Sequence, residues 1–549
     1  MSDFKTALLT DPRLSQISDS QIYAVQSGAS NNTHQSYEAV SKSASSLVFN
    51  VQCPSESVVV DREILMEVKD FTFRVTKTVG ASPVTAFDFS NKDALGPFPL
   101  NFSFNTLSSQ INNSSVTMNS KDILPFLIRM NDADRLYKYH GYTPVLPDQE
   151  YLNYSDAAGK DNNPLADGSK AGHNSIKPRG AFVIKSITYS GVATSASNPL
   201  TTGAGEITAT IVCDITEPVM LSPYIFGAPD FNLGGFVGIN TLNLVGNLDS
   251  KPNRIFRCDE SVASAYDCAW GTTADSNPFQ GSARLLVNYL STQSTQLIPS
   301  RQVLPYMDFP RYLSVGSSMA SGASATVRSQ NIQLNQLPDK FILAVRKKMT
   351  DQSITDSDSF FPIEKVTVSL NNQSGLLSSA TAQHLWKMSQ EAGSTQTWSE
   401  FSGEVGIGGA AVKTTGSMLV LSPAQHLSLS AMLSSGSIGQ FSVQFDVTVK
   451  NPHGVTLTPE LCLVCVNSGI MVNAAGSTAV YTGILTKELV VSTQTEQEIP
   501  PLERPEYERM VGGASCNIGS LRKMLIGKLG RMKGSSSGGA MSAGVRRFA

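Results

Sequence analysis

The sequence predicts an all-β protein built from two tandem antiparallel jelly rolls of eight strands each, with short inserted helices, long loops and a basic C-terminal tail. Two observations support this prediction. Apolar and polar residues alternate over many short stretches, which is typical of strands that bury one face. A block consisting of a strand, an Asn-Asn turn and a helix start also occurs once in each half of the chain.

The alternation is clearest in a few runs. It is seen at 47–51, 71–75, 207–215, 242–244 and 283–287 in the first half, and at 325–334, 340–345, 366–370 and 441–449 in the second. No regular succession of strands and helices suggests a parallel α/β sheet, so antiparallel sandwiches are favoured.

The repeated block indicates that one supersecondary unit is used twice. In the first half, Asn112-Asn113 is followed within ten residues by a predicted helix near 122–130. In the second half, Asn371-Asn372 is followed by a predicted helix near 381–390, capped by Ser379 or Thr381 and ended by Gly393. Two domains of the same type are therefore expected.

Length and composition agree with this organisation. At 549 residues the chain is too long for a single hydrophobic core, and 41% hydrophobic residues suffice for two. Charged residues make up only 16%, below the typical quarter. Surfaces rich in uncharged polar residues are suited to being covered by neighbouring molecules.

We expect four segments. They are a polar N-terminal arm over 1–44, a first jelly roll over 45–300, a second jelly roll over 301–495, and a basic Gly/Ser-rich tail over 496–549. The first roll carries a long loop at 131–180, expected to project from one end. Three prolines between 299 and 310 suggest a crossing between the domains.

Charge is distributed unevenly along the chain. The net charge is −3, yet residues 517–549 carry seven basic residues and no acidic one, which leaves −10 for the rest. An acidic partner for the tail alone is one interpretation, and a solvated terminus is the other. The basic residues are Arg522, Lys523, Lys528, Arg531, Lys533, Arg546 and Arg547.

The cysteines indicate reduced, buried thiols. Their number is odd, their spacing is irregular, and several lie within apolar strand patterns, so no disulfide framework is expected. No secretory signal and no transmembrane span is predicted. The seven are Cys53, Cys213, Cys258, Cys268, Cys462, Cys465 and Cys516.

Two short motifs might suggest catalysis or metal binding. The sequence Gly-Ser-Ser-Ser-Gly at 534–538 matches a nucleophile elbow, but it lacks the strand and helix that an elbow requires. Cys462 and Cys465 have metal-ligand spacing, but residues three apart on a strand point to opposite faces. Neither motif predicts an active site.

Other candidate ligands are equally weak. Scattered histidines, loop aspartates without a calcium-loop pattern, and a glycine-rich run without a following Lys-Ser/Thr predict no cofactor and no metal. These residues are His34, His140, His173, His384, His426, His453, Asp156, Asp161, Asp167, Gly403, Gly406, Gly408 and Gly409.

Several segments, in order from about 45 to 495, resemble the double jelly-roll major capsid proteins of polinton-like viruses, adintoviruses and virophages. The arm, the 131–180 loop and the tail are not covered. The segments are Pro54–Glu63, Pro97–Leu100, Asp122–Pro125 with Arg129-Met130, Thr216–Pro223, Leu337–Lys340, Phe361–Ile363 and Asn371–Leu377.

The resemblance implies a non-enzymatic capsid protein with two upright jelly rolls, assembled in the host cell into the virion of an icosahedral DNA virus. It implies a homotrimer of pseudo-hexagonal outline that tiles a capsid lattice with penton and minor capsid proteins. Beyond the resemblance, we expect the arm and the basic tail to face inward, toward genome, an inner membrane or minor capsid proteins, and the 131–180 loop to face outward. No small-molecule substrate is expected.

Two other functions are compatible with the sequence. A tandem β-sandwich fibre or adhesin would bind a glycan or a receptor through exposed aromatic residues, and the tyrosines of the long loop are candidates. A jelly-roll glycoside hydrolase would need two facing carboxylates, and the sequence selects no pair. The tyrosines are Tyr137, Tyr139, Tyr142, Tyr151 and Tyr154.

Overall fold

The structure is a computed structural model that describes residues 31–483, with internal gaps of which the longest are 146–182, 226–234, 259–265 and 292–299. All of the described residues belong to one compact unit. The basic tail lies outside the described residues.

The first half of the chain is dominated by strands. These are β1 (Asn31–Glu38), β2 (Ser41–Lys42), β3 (Ser46–Gln52), β4 (Val59–Val60), β5 (Leu65–Val79), β6 (Val84–Thr85), β7 (Asp93–Leu95), β8 (Phe104–Ile111), β9 (Ser114–Met118), β10 (Ile184–Gly191), β11 (Thr194–Ser195), β12 (Asn198–Thr201), β13 (Gly205–Pro218), β14 (Thr241–Leu248), β15 (Phe256–Cys258), β16 (Tyr266–Trp270) and β17 (Ala283–Ser291).

The second half has the same character. Its strands are β18 (Arg301–Asp308), β19 (Arg311–Val315), β20 (Ser324–Arg328), β21 (Ile332–Gln336), β22 (Lys340–Lys347), β23 (Ile363–Leu370), β24 (Gln373–Leu376), β25 (Glu404–Ile407), β26 (Ala410–Lys413), β27 (Leu419–Leu421), β28 (Ile438–Lys450), β29 (Pro459–Ala474) and β30 (Ser477–Thr482).

Helices are short in both halves. They are α1 (Pro99–Ser103), α2 (Ser120–Met130), α3 (Ala382–Glu391), α4 (Trp398–Phe401) and α5 (Pro423–His426), together with a 3₁₀ turn at Met349–Asp351. The Thr381 hydroxyl caps α3 by accepting from the backbone N–H of His384. Gly393 follows the helix with a φ of +99°. Both boundaries of the predicted second helix are thus close to those observed.

Two large sheets face each other in each half, and both halves use the same strand order. The first half contains the paths β1-β17-β5-β13-β10 and β2-β3-β14-β8-β9. The second contains β18-β29-β22-β27 and β20-β28-β23-β24. The order β17-β5-β13 thus matches β29-β22-β27, and β3-β14-β8-β9 matches β20-β28-β23-β24. The predicted double jelly roll is confirmed, whereas eight strands per roll stays a prediction.

The two Asn turns are the most similar local feature of the two halves. Asn112 and Asn371 both have a φ of 51°, the left-handed region that Asn tolerates in tight hairpin turns. Each donates its backbone N–H to the neighbouring strand, Asn112 to Thr241 and Asn371 to Ser442. Each also accepts a backbone N–H there through its side-chain oxygen. The repeated sequence block is therefore a repeated structure.

One sheet of the second roll is buried on both faces. In β22, Phe341, Leu343 and Val345 face the core of the second roll, while Ile342 and Ala344 pack with the core of the first. We call this contact the seam. It consists of the outward side chains of β22, β27 and β29 on one side, and of α2 with residues 254–257 on the other.

Two expectations about the segment boundaries need correction. Residues 31–44, expected to belong to the arm, contain β1 and β2, which pair with β17 and β3. Their polar side chains hid the strands, because an edge strand can leave nearly all of its side chains exposed. The residues expected to cross between domains form β18, which pairs with β29, because proline is tolerated in an edge strand.

The expected projecting loop begins later than predicted. Leu136, Tyr139 and Val145 are buried in the first core, and Thr143 is fully buried as well. These residues are anchored by tertiary contacts that leave no periodic trace in the sequence. The remaining part of the loop, from 146 to 180, lies outside the described residues.

Candidate functional site: the seam between the two rolls

Most of the residues considered as site candidates are placed away from any common site. The seven basic tail residues, the three loop aspartates, His140, His173, His453, Gly408 and Gly409 lie outside the described residues. Among the tyrosines, Tyr139 is buried and Tyr142 is 54% exposed, while Tyr137, Tyr151 and Tyr154 lie outside the described residues.

The two strand cysteines occupy opposite faces of β29. Cys462 packs at the seam and Cys465 in the second core. Burial raises the pKa of the Cys462 thiol to about 12 and also raises that of Cys465. Both thiols are therefore protonated small hydrophobes. Across the described part of the chain, no group of three or more His, Cys, Asp or Glu residues is arranged to hold a metal ion.

The described histidines are structural or exposed. The buried ring of His426 accepts a hydrogen bond from the backbone N–H of Ser422 at 3.1 Å. Burial lowers its pKa, against the opposing effect of Glu391. His384 is exposed on α3, beside its capping residue Thr381. Gly403 directly precedes β25, and Gly406 lies within it. The hairpin of β25 and β26 is followed by strand β27 and not by the helix that a phosphate-binding loop requires.

Several ion pairs are buried in the seam. The guanidinium of Arg346 contacts Asp122 at 2.5 Å and Glu460 at 3.0 Å. Arg311 contacts the other oxygen of Asp122 at 2.8 Å. Asp122 is on α2 of the first roll, whereas its three neighbours belong to the second. One buried network therefore joins the rolls.

A second buried network lies beside the first. Asp358, which precedes β23, forms ion pairs with Arg254 at 2.8 Å and with Arg257 at 3.2 Å, both from the first roll. Arg129 donates to the backbone carbonyl of Asp358 and lies over the ring of Phe360. That ring stacks on Phe126 of α2, with ring centroids 5.3 Å apart.

The pKa values in the seam follow from these contacts. Burial acts to raise the pKa of Asp358, but the charges of Arg254, Arg257 and Arg129 outweigh it and hold the pKa at about 2. For Asp122 burial again acts upward, and attraction and hydrogen bonding from Arg346 lower the pKa below its usual value. Both carboxylates are therefore ionised and compensated, which a buried charge requires.

The two halves also contact each other outside the seam, through the hairpin of β29 and β30. The turn between β29 and β30 lies against the first Asn-Asn turn, where Asn113 accepts from the backbone N–H of Thr478 at 2.7 Å. Asn112 donates to the Thr478 hydroxyl at 3.0 Å and to the carbonyl of Gly238 at 3.1 Å. The two rolls are therefore locked together by polar contacts at more than one place.

The seam was not predicted from the sequence. One signal was available, because the run Phe341–Val345 is continuously apolar and a strand buried on both faces has that character. The charged partners could not be found in this way, since they come from segments far apart in sequence. The arrangement offers no open cleft with converging acids; it holds two domains in fixed register.

Two jelly rolls of the same strand order, fused through a buried seam, define a double jelly-roll protein of the capsid class. A family model described as the first domain of the Sputnik virophage major capsid protein matches residues 2–290, and one described as the C-terminal domain of major capsid protein V20 matches residues 309–469. The chain belongs to the Sputnik virophage major capsid protein family.

Individual relatives agree with this assignment. The putative capsid protein V20 of Sputnik virophage is 27% identical over 543 residues, which cover 95% of this chain and 86% of the relative. A chain in the cryo-EM structure of the Sputnik virophage is 26% identical with a TM-score of 0.71, covering 89% of this chain and 95% of that one.

The crystal structure of the mavirus major capsid protein has the same fold. Its TM-score is 0.67 at 14% identity, with 89% of this chain and 98% of that chain covered. The predicted resemblance to virophage capsid proteins is confirmed, and the chain is a structural component of the virion, not an enzyme. Its extension to polinton-like viruses and adintoviruses stays a prediction.

Proposed function

We propose that this protein assembles as a homotrimer of pseudo-hexagonal outline, and that these trimers tile an icosahedral capsid together with penton and minor capsid proteins. The proposal is supported above all by the matching strand order of the two halves. Two similar domains per chain give three copies six near-equivalent edges, so that one protein can fill sixfold positions of a lattice.

The seam supports the same proposal. A lattice unit has to transmit load between its neighbours without changing shape, and two loosely linked domains would not do so. The ion networks of Asp122 and Asp358 and the stacking of Phe126 on Phe360 fix the two rolls in register. The chain would enter the trimer as one block.

The tail and the part of the N-terminal arm before β1 are proposed to lie on the inner side of the shell. The seven basic residues of 517–549, a stretch without an acid, can neutralise phosphate charges of a genome or of an anionic membrane surface. The part of the long loop beyond residue 145 is proposed to lie on the outer side.

Sedimentation of the purified protein tests the trimer. We expect a trimer at micromolar concentration and no stable folded monomer, and negative-stain images with hexagonal outlines. A monodisperse monomer that keeps its fold would contradict the proposal.

The described residues do not favour either rival function. The loop tyrosines suggested a glycan-binding fibre, but of the two that are described only Tyr142 is exposed, whereas Tyr139 is buried against Phe98. A hydrolase would need two free facing carboxylates, and the buried acids of the seam are paired with arginines. The family favours the capsid function.

A further inference from the structure

The helices that follow the two Asn turns correspond to each other position by position. α2 begins after Asn119 and α3 after Thr381. The fourth helical residue, Ile123 in α2 and Leu385 in α3, is completely buried in the core of its own roll. The two helices therefore have the same rotation about their axes relative to their rolls.

In α2 the face that points away from its own core is covered by the second roll. Its third, seventh and tenth residues are Asp122, Phe126 and Arg129. They contact Arg346, Phe360 and the carbonyl of Asp358, respectively. All three are buried, so this face of α2 lies entirely within the seam.

In α3 the same three positions are His384, Met388 and Glu391. His384 and Glu391 are exposed, and Met388 is only partly buried. Trp386 and Trp398 beside them are also partly buried and contact each other with ring centroids 5.8 Å apart. Of the three positions by which α2 binds a second roll, those of His384 and Glu391 are thus open to solvent on α3, while Met388 is partly buried against the second core.

The surface that receives α2 also has a counterpart. At the seam, Ile342 of β22 and Val464 of β29 are cross-strand partners and are completely buried. In the first roll, where β5 and β17 take the places of β22 and β29, the cross-strand partners Leu65 and Leu286 are both only partly buried. An aliphatic pair thus occupies corresponding strands of both rolls, and one of them lacks a full cover.

We infer that α3 of one copy packs against the outer face of the β17-β5-β13 sheet of a second copy, around Leu65 and Leu286, as α2 packs on β29-β22-β27 within one chain. The inference rests on the proposed homotrimer and names its contact surfaces. Each contact is heterologous, because a helix face meets a sheet face. The contact made by α2 joins the two rolls within a chain, and the contact made by α3 joins one chain to the next. When the two contacts alternate around three chains, their six rolls form a closed ring.

Cross-linking between two chain populations tests the contact directly. One population carries His384→Cys and the other, distinguished by a tag, carries Leu286→Cys. After co-assembly and treatment with a short bis-maleimide, we expect a covalent species that contains one chain of each kind. Each single variant alone, and His384→Cys mixed with Gln333→Cys, serve as controls, since Gln333 is exposed on β21 of the other sheet.

A charge placed on either surface tests whether the contact holds the copies together. Met388→Glu and Leu286→Glu are each expected to raise the trimer dissociation constant at least tenfold. Gln333→Glu should leave it unchanged. Because the free chain is not expected to stay folded, sedimentation and circular dichroism are recorded together over a range of protein concentrations. A variant that regains both the trimer and the fold at high concentration has lost only the contact, and the cross-linking result does not depend on that outcome.

The outcomes separate this inference from the proposed function. If the protein forms trimers but no mixed cross-link appears, or if both charge variants still form trimers normally, the α3 contact is wrong and the trimer stands. If the unmodified protein remains a monomer, the proposed trimer fails, and this inference fails with it.

Discussion

Asp122 and Arg346 are 224 residues apart in sequence, yet their side chains meet at 2.5 Å inside the protein. Asp122 belongs to a helix of the first roll and Arg346 to a strand of the second. The side chains are 5% and 4% exposed, so the pair is screened from water. This contact, together with Glu460 beside it, fixes the position of one roll relative to the other.

Arg346→Met is expected to destabilise the protein by about 3–5 kcal/mol, because it leaves the carboxylates of Asp122 and Glu460 buried without their common partner. Denaturant unfolding at matched protein concentration measures the loss. The triple variant Asp122→Leu, Glu460→Met, Arg346→Met should recover most of it. Of the charges in this network only Arg311 then lacks a partner, and its side chain is 26% exposed and can be solvated by water. Arg328→Ala is the control, because the Arg328–Asp446 pair is exposed and should matter little. If Arg346→Met proves as stable as Arg328→Ala, the charges of the seam are not needed for stability.

Glu217 is expected to make stability depend on pH near neutrality. It is completely buried, and its carboxylate accepts from the backbone N–H groups of Leu100 and Asn101 and from the side chains of Asn101 and Thr143. Burial raises the pKa of Glu217 to about 7, against the effect of these hydrogen bonds. The folded state thus holds this proton more tightly than the unfolded one.

The sign follows from that difference. The Glu217 contribution is fully present below the unfolded pKa of 4.5 and is lost as the pH rises through about 7. The free energy of unfolding should therefore decrease as the pH rises from 5 to 8. The part of this decrease that is due to Glu217 should be absent in Glu217→Gln. Thr143→Val should move this component to higher pH, because it removes a hydrogen bond to the charged form. An unchanged pH profile in Glu217→Gln would refute the assignment.

The two Asn turns provide a matched pair of substitutions. Glycine keeps the left-handed backbone but deletes the side chain. Asn112→Gly removes bonds to Gly238, Thr478, Asn240 and Thr241, whereas the side chain of Asn371 accepts from Ser442 on the surface. We expect a loss of about 2–3 kcal/mol at 112 and about 1 kcal/mol or less at 371, from thermal or denaturant unfolding. Equal effects would mean that the additional side-chain bonds of Asn112, including the one to the β29–β30 hairpin, add nothing to stability.

The basic tail is expected to bind duplex DNA in a salt-dependent way. Replacing the seven Lys and Arg residues of 517–549 by Gln should reduce the slope of log affinity against log salt by up to about 6, since each phosphate contact contributes about 0.9. Fluorescence anisotropy at several salt concentrations measures the slope. A variant with Lys348, Lys365 and Lys387 changed to Gln controls for charge on the folded body. Equal slopes for the tail variant and the unmodified protein would exclude DNA, and binding to anionic vesicles alone would indicate a membrane.

The alternating patterns predicted the long strands well. β3, β5, β13, β14, β17, β22, β23 and β28 all contain the residues expected of them. The run 325–334 was predicted as one strand and is two, β20 and β21, because the chain breaks at 329–331. Alternation reports which residues face a core, and a short break between strands of similar pattern does not change it.

β1 shows where the sequence was misleading. Its residues are polar and nearly all exposed, and its eight backbone pairs with β17 carry most of its attachment. Backbone hydrogen bonds have no sequence signature, so a strand held mainly by them reads as an unstructured arm. β18, which was expected to be a linker, was missed for a different reason. It buries Leu304 and Tyr306, but Pro305 between them suggested a break in regular structure, whereas an edge strand tolerates proline.

What the sequence by itself determined is the content of the molecule: a duplicated set of strands and the Asn turn of each half. These follow from short-range periodicity and from the backbone preference of Asn, both of which are properties of neighbouring residues, whereas the family was indicated by the resemblance of several segments. Only the tertiary structure decided that Asp122 meets Arg346, that Asp358 meets Arg254, and that α2 is covered while α3 is open. Such contacts join residues hundreds of positions apart, and they depend on how two finished domains pack against each other.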